Sequence, residues 1–176
     1  MEELARWPAS DRADLFLAAA RRRGITTAIM EKDFWVCWTL RRIFSLPDPP
    51  ASLIFKGGTS LSKVYAAIDR FSEDVDLSFD RADLGFGGDD DPMSAPSRKK
   101  GQQGVKALSA KCAELVQGTL LEQLTSSFSE ALGQEPDSWS LDVADDEPAT
   151  LNFTYPRNKE DTAGVPYVRP MVDVDP

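Results

Sequence analysis

Ser52-Leu53-Ile54-Phe55-Lys56-Gly57-Gly58-Thr59-Ser60 passes from a short apolar run through paired glycines to two hydroxyl residues, after which Leu61, Val64 and Tyr65 recur at helical spacing. This reads as strand, tight turn, helix. Paired glycines let backbone N–H groups approach an anion, and a helix N-terminus carries partial positive charge. The turn is not a Walker loop, because the G-x-x-x-x-G-K-[ST] spacing is absent. By itself it is equally a structural turn. Shortly after comes Asp74-Val75-Asp76-Leu77-Ser78-Phe79, which alternates acidic or polar with apolar residues. In a strand, residues two apart share a face, so both carboxylates project together about 7 Å apart at the backbone. Like charges at that spacing repel unless a cation lies between them. Hard divalent ions such as magnesium take oxygen ligands of this kind, and phosphoryl transfer uses one or two of them. A bare pair of this sort is otherwise a solvated sheet face. Asp173-Val174-Asp175 repeats the pattern at the other end of the chain.

Composition narrows the chemistry. The 176 residues hold 20 basic and 29 acidic side chains, a formal charge of -9, and no histidine. A Ser-His-Asp or Cys-His arrangement and an imidazole-bound zinc are therefore excluded. Any base or metal ligand must be a carboxylate, with lysine or thiolate as poorer candidates. Hydrophobic residues make up 41% of the chain, enough for one real core. Cys37 and Cys112 form no framework and fit a reduced, cytoplasmic chain. Met1-Glu2-Glu3 is the opposite of a secretory leader, and no apolar run approaches the roughly 20 residues of a membrane span. The acidic balance argues against a general nucleic-acid coat. Basic clusters at Arg21-Arg22-Arg23, Arg41-Arg42 and Arg98-Lys99-Lys100 read as solvated faces unless one stands beside the site.

Around the two stretches, the periodicity predicts helices over about 11–23, capped by Ser10 and stopped by Gly24, and about 28–45, capped by Thr26 or Thr27. Leu15, Phe16 and Ala19 form the apolar side of the first; Phe34, Trp35, Trp38 and Phe44 read as core aromatics of the second. A long helical pattern covers 96–132, with a break near Gly118, and strands are predicted at 139–143, 150–155 and 167–174. The fold class is α+β, approaching α/β: two leading helices, then a small mixed sheet carrying helices. A helical segment at 1–50 would pack on a core at 51–176.

The order of the parts, Gly-Gly-Thr-Ser turn, D-x-D, distant acidic strand, is the layout of the nucleotidyltransferase superfamily. Longer strings sharpen it: Glu31-Lys32-Asp33-Phe34-Trp35-Val36, then Phe55-Lys56-Gly57-Gly58-Thr59-Ser60-Leu61-Ser62-Lys63, then Arg70-Phe71-Ser72-Glu73-Asp74-Val75-Asp76-Leu77. With Pro166-Tyr167-Val168-Arg169-Pro170 before the last strand, the chain from about residue 28 onward closely resembles the AbiEii/AbiGii toxin family, the nucleotidyltransferase-like toxins of bacterial type IV toxin–antitoxin and abortive-infection systems.

That resemblance implies a nucleotidyltransferase-like fold and roles for individual residues. Asp74, Asp76 and Asp175 would be the catalytic, magnesium-holding carboxylates, with Asp173 facing the same way. Gly57, Gly58, Thr59 and Ser60 would bind nucleotide phosphates, joined by Lys63, Arg70 and Ser72, each of which also has a plain structural reading. Lys32 and Asp33 fit helix packing better than reaction. A further basic residue between the acidic strands is Arg157, Lys159 or Arg169, and the sequence does not choose among them. The implied reaction moves a nucleoside monophosphate from an NTP, with one or two Mg2+ ions, onto RNA such as a tRNA 3′ end or onto a protein hydroxyl. The implied partner is an antitoxin encoded nearby. Family members continue past the third carboxylate into a helical region, whereas this sequence stops at Asp175-Pro176. The second reading is therefore a truncated or degenerate domain that binds nucleotide or a partner without turnover. A magnesium-dependent phosphatase or nuclease is disfavoured, since it has no need of the Gly-Gly-Thr-Ser turn.

Overall fold

The computed structural model describes residues 1–58, 60, 74–133, 139–157 and 171–175. Helices α1 (Glu2–Ala5), α2 (Ala9–Arg23) and α3 (Thr27–Ile43) lead into strand β1 (Leu53–Phe55) and strand β2 (Val75–Phe79). Two 3-10 turns, Gly88–Asp90 and Pro92–Ser94, precede α4 (Arg98–Leu115). One π-helical turn, Val116–Leu120, joins α4 to α5 (Leu121–Leu132), and β3 (Ser140–Val143), β4 (Thr150–Thr154) and β5 (Met171–Asp175) follow.

The strands form one mixed sheet in the order β1-β2-β5-β4-β3. Only β2 and β5 run parallel; the other neighbours are antiparallel. The expected α+β class with a small mixed sheet is what the chain adopts. Among the described residues, no helix is long and apolar enough to cross a membrane.

Local signals account for the helix ends. Thr26 caps α3, its hydroxyl accepting from the Ile29 N–H at 3.3 Å, and Gly24 ends α2 at φ 66°. The N-terminus of α2 is set differently from the Ser10 cap expected: Pro8 stands in the cap position and the helix starts at Ala9. Its inward stripe is also displaced from the expected one. Arg12, Phe16 and Ala20, at strict i, i+4, i+8 spacing, are buried, while Leu15 is 40% exposed. Phe44, expected in the core, is exposed and lies just past the end of α3. Near Gly118 the helical pattern does not break. It loosens by one π turn, which keeps Val116 and Leu120 facing the core.

One hydrophobic cluster joins α3, α4, α5 and one face of the sheet. Trp35 stacks on Tyr155 and Trp38 on Phe153, with ring centroids 5.4 and 5.8 Å apart, and Phe128 of α5 meets Trp38 edge-on at 4.7 Å. Such rings carry most of the apolar area a core of this size has to bury. Arg42 lies over Trp38 and donates to the Ser127 carbonyl at 2.8 Å, and Arg6 donates to the Ala131 carbonyl in the last turn of α5 at 2.7 Å. Half of the Arg41-Arg42 cluster thus serves packing rather than a nucleic-acid track.

Arg12 ties the N-terminal helices to the sheet. It is 3% exposed, lies over Trp35, and donates to the carbonyls of Ala5 (3.1 Å), Trp7 and Pro156 (2.7 Å). Burial lowers the guanidinium pKa and Glu31 partly restores it. Replacing Arg12 with Ala removes the donor from three carbonyls, so a loss of about 2–3 kcal/mol in unfolding free energy is expected by urea titration. Arg12→Lys should recover only part of it, because one ammonium cannot copy the planar fork.

Candidate active site

The sheet has a dry face and an open one. On β2, Val75, Leu77 and Phe79 are buried against the helices, whereas Asp76 and Ser78 are half-buried on the other side. Register carries this division across the sheet. Val75 pairs with Val172 and Leu77 with Val174, all four fully buried, while Asp76 pairs with Asp173 and Ser78 with Asp175. Directly paired residues share a face. Positions 173 and 175 of β5 therefore belong to the face that carries Asp76, with Asp74 one step before β2. Asp173 is level with Asp76; Asp175 is one pair further on.

The glycine turn meets this acidic strand directly. Strand β1 is antiparallel to β2, with Phe55 opposite Leu77, and the Lys56 N–H donates to the Asp76 carbonyl at 2.9 Å. Gly57, at φ 71°, then lies beneath the Asp76 side chain. A Cβ built on Gly57 would fall within the Asp76 carboxylate, 2.7 Å from the Asp76 Cβ. Only glycine fits there, for both its backbone conformation and its missing side chain. Helical backbone follows at Gly58 and Ser60, and Ser60 is 4% exposed. The far end of β1 is held by Asp83, which accepts from the Ser52 N–H at 2.8 Å; hydrogen bonds from Ser52 keep that carboxyl below the usual range.

Of the residues the sequence pointed to, Gly57, Gly58, Ser60, Asp74 and Asp76 are gathered where β1 ends and β2 begins, with the backbone of Asp173 and Asp175 on the adjoining strand. Thr59, Lys63, Arg70, Ser72, Lys159 and Arg169 lie outside the described residues. Lys32 is buried, at 4% exposure, and Arg157 half-buried. Arg98, Lys99 and Lys100 are exposed in the first turn of α4, whose cap is Ser97.

Further residues of the open face went unread. Thr150, level with Asp173, is buried there and donates to Glu147 Oε2 at 3.2 Å. Ile54 shares the face through its pairing with Ser78. Ile54 sits in a run without alternation, Leu53-Ile54-Phe55, so only pairing with β2 reveals its side; Thr150 opens an alternating run, and its pairing with β5 is what sets it level with Asp173.

On donor chemistry the site suits magnesium. Its acidic groups are carboxylates, the chain has no histidine, and the absent Gly57 side chain makes room for the Asp76 carboxylate. Among the described residues no cluster of three ligating side chains occurs.

A family model described as "Nucleotidyl transferase AbiEii toxin, Type IV TA system" matches residues 38–175, well over half of the chain. No curated protein and no solved structure matches it.

Proposed function

Since the chain belongs to the AbiEii family of nucleotidyltransferase toxins of type IV toxin–antitoxin systems, we propose that it transfers a nucleoside monophosphate from a nucleoside triphosphate to an acceptor hydroxyl on RNA, a tRNA 3′ end being one such acceptor, or on protein. The observation that carries this reading is the seat of the Asp76 carboxylate over Gly57. It joins a turn suited to phosphates to a strand suited to a divalent cation, which hydrolases built on paired acids do not require.

Asp74 and Asp76 would hold magnesium together with a β5 carboxylate: Asp175 by the family resemblance, with Asp173 beside it and level with Asp76. Magnesium, when bound, neutralises charge on the triphosphate and favours ionisation of the acceptor hydroxyl. The backbone of Gly57 and Gly58 and the hydroxyls of Thr59 and Ser60 orient the phosphates, and Lys63, Arg70 and Ser72 add charge and donors around them. The acceptor oxygen bonds to the α-phosphorus, the α–β anhydride bond breaks, and pyrophosphate leaves. The hydroxyl proton leaves to solvent. In an acidic protein, RNA is gripped locally, with Arg98, Lys99 and Lys100 as the exposed basic cluster closest in sequence after β2. The reaction belongs in the cytoplasm, where triphosphates and tRNA are found, and an antitoxin encoded nearby is the expected partner.

Incubation with each α-labelled triphosphate, magnesium and total RNA should label an acceptor. Nucleotide binding without transfer would replace this reading with the non-catalytic one, and release of free phosphate would replace it with a hydrolase. Asp175→Asn and Asp173→Asn, assayed side by side, test the β5 assignment. Transfer should collapse in at least one, and full activity in both would remove β5 from the site.

A further inference from the structure

Of the large apolar side chains that are exposed among the described residues, Ile54 alone belongs to the sheet, and it is 54% exposed. Its strand neighbours explain why it points outward. Leu53 pairs with Phe79 and Phe55 with Leu77, both partners on the dry face, so Ile54, opposite Ser78, is turned to the open face. Elsewhere on that face the described side chains are polar: Asp76 and Ser78 on β2, Asn152 and Thr154 on β4, Asp142 on β3; the position of Met171 on β5, opposite Asn152, also belongs to it. An apolar side chain left in water among them stabilises nothing in the fold. Its position is continuous with the candidate site. Ser78 is two residues beyond Asp76, about 7 Å along the strand.

A nucleotide whose phosphates lie at Gly57 and Asp76 has to send its sugar and base somewhere across this face. In the direction of the β2 C-terminus, the surface it meets is Ile54 beside Ser78. Bases stack on apolar and aromatic surfaces largely regardless of base identity, while a neighbouring hydroxyl adds a hydrogen bond to a base or ribose edge. We infer that Ile54, with Ser78 beside it, seats the nucleobase of the incoming triphosphate. This rests on the nucleotidyltransferase reading and adds to it the part of the substrate that the phosphate turn and the carboxylates do not contact.

Calorimetric binding in the presence of magnesium tests this, using each ribonucleoside triphosphate and, separately, inorganic tripolyphosphate. Ile54→Ser, on an exposed position, should fold as the parent does. It should weaken triphosphate binding about fivefold and leave tripolyphosphate binding unchanged. Ile54→Trp should tighten triphosphate binding and again spare tripolyphosphate. The inference is overturned if both variants bind triphosphates like the parent, or if they change the affinity for a short single-stranded RNA alone. A parent protein that binds neither triphosphate nor tripolyphosphate overturns the nucleotidyltransferase reading itself, and the inference with it.

Discussion

Asp76→Asn is expected to abolish nucleotidyl transfer, by about 10³-fold or more, while leaving the protein as stable as before or slightly more so. The side chains are nearly isosteric, so the seat over Gly57 is kept and only the charge is lost. Asp74, one step before β2, is two residues from Asp76, and the Asp173 and Asp175 positions are on the adjoining strand. Relieving repulsion within such a group contributes on the order of 1 kcal/mol, or a few degrees in Tm for a chain of this size. Magnesium supplies the sharper readout. It should raise the Tm of the parent, as any ligand of the folded state does, and fail to raise that of Asp76→Asn. A variant that retains transfer, or a parent whose Tm ignores magnesium, would falsify the metal assignment.

Gly57→Ala is the second large effect, and its cause is steric. Alanine at φ 71° costs about 1–2 kcal/mol on its own. The new methyl group would also overlap the Asp76 carboxylate, so either the turn or the carboxylate has to move. Unfolding free energy should fall by about 2–4 kcal/mol and transfer by about 10²-fold, since a carboxylate displaced by an ångström no longer meets its cation. Gly85→Ala is the matched control. Gly85 has φ 86° with nothing within 4 Å of a built Cβ. It should show the backbone cost alone, with activity preserved. Equal losses of activity in the two variants would mean that general destabilisation, not the Asp76 seat, is being measured.

Much of the candidate site was legible because its parts lie in two short strings with strong local physics. Period-two alternation in Asp74-Val75-Asp76-Leu77 places both acids on one face whatever the sheet does with the strand, and β2 obeys it. The paired glycines announced a turn, but not that the first of them would lie under Asp76; that contact depends on the β1–β2 register. Arg12 was hidden because arginine ordinarily reads as surface, and its burial depends on carbonyls from Ala5, Trp7 and Pro156 and the ring of Trp35, contributed by three parts of the chain. Leu15 was misplaced because Leu15 and Phe16 compete for one inward position, and the ring of Phe34 takes Phe16 at 5.4 Å.

By itself the sequence determined the exclusion of histidine chemistry, the alternating acidic strand, a threonine cap at residue 26 or 27, the Gly24 stop and the family. Each of these depends on residue type and on neighbours within a turn or two. The tertiary structure alone decided that β5 inserts between β2 and β4, that Asp173 stands level with Asp76, and that Ile54 is turned to the open face rather than the core. The reason is physical. Which strands pair, and in which register, is settled by burial of apolar faces between segments far apart in sequence, and no local pattern in a three-residue apolar strand records the outcome.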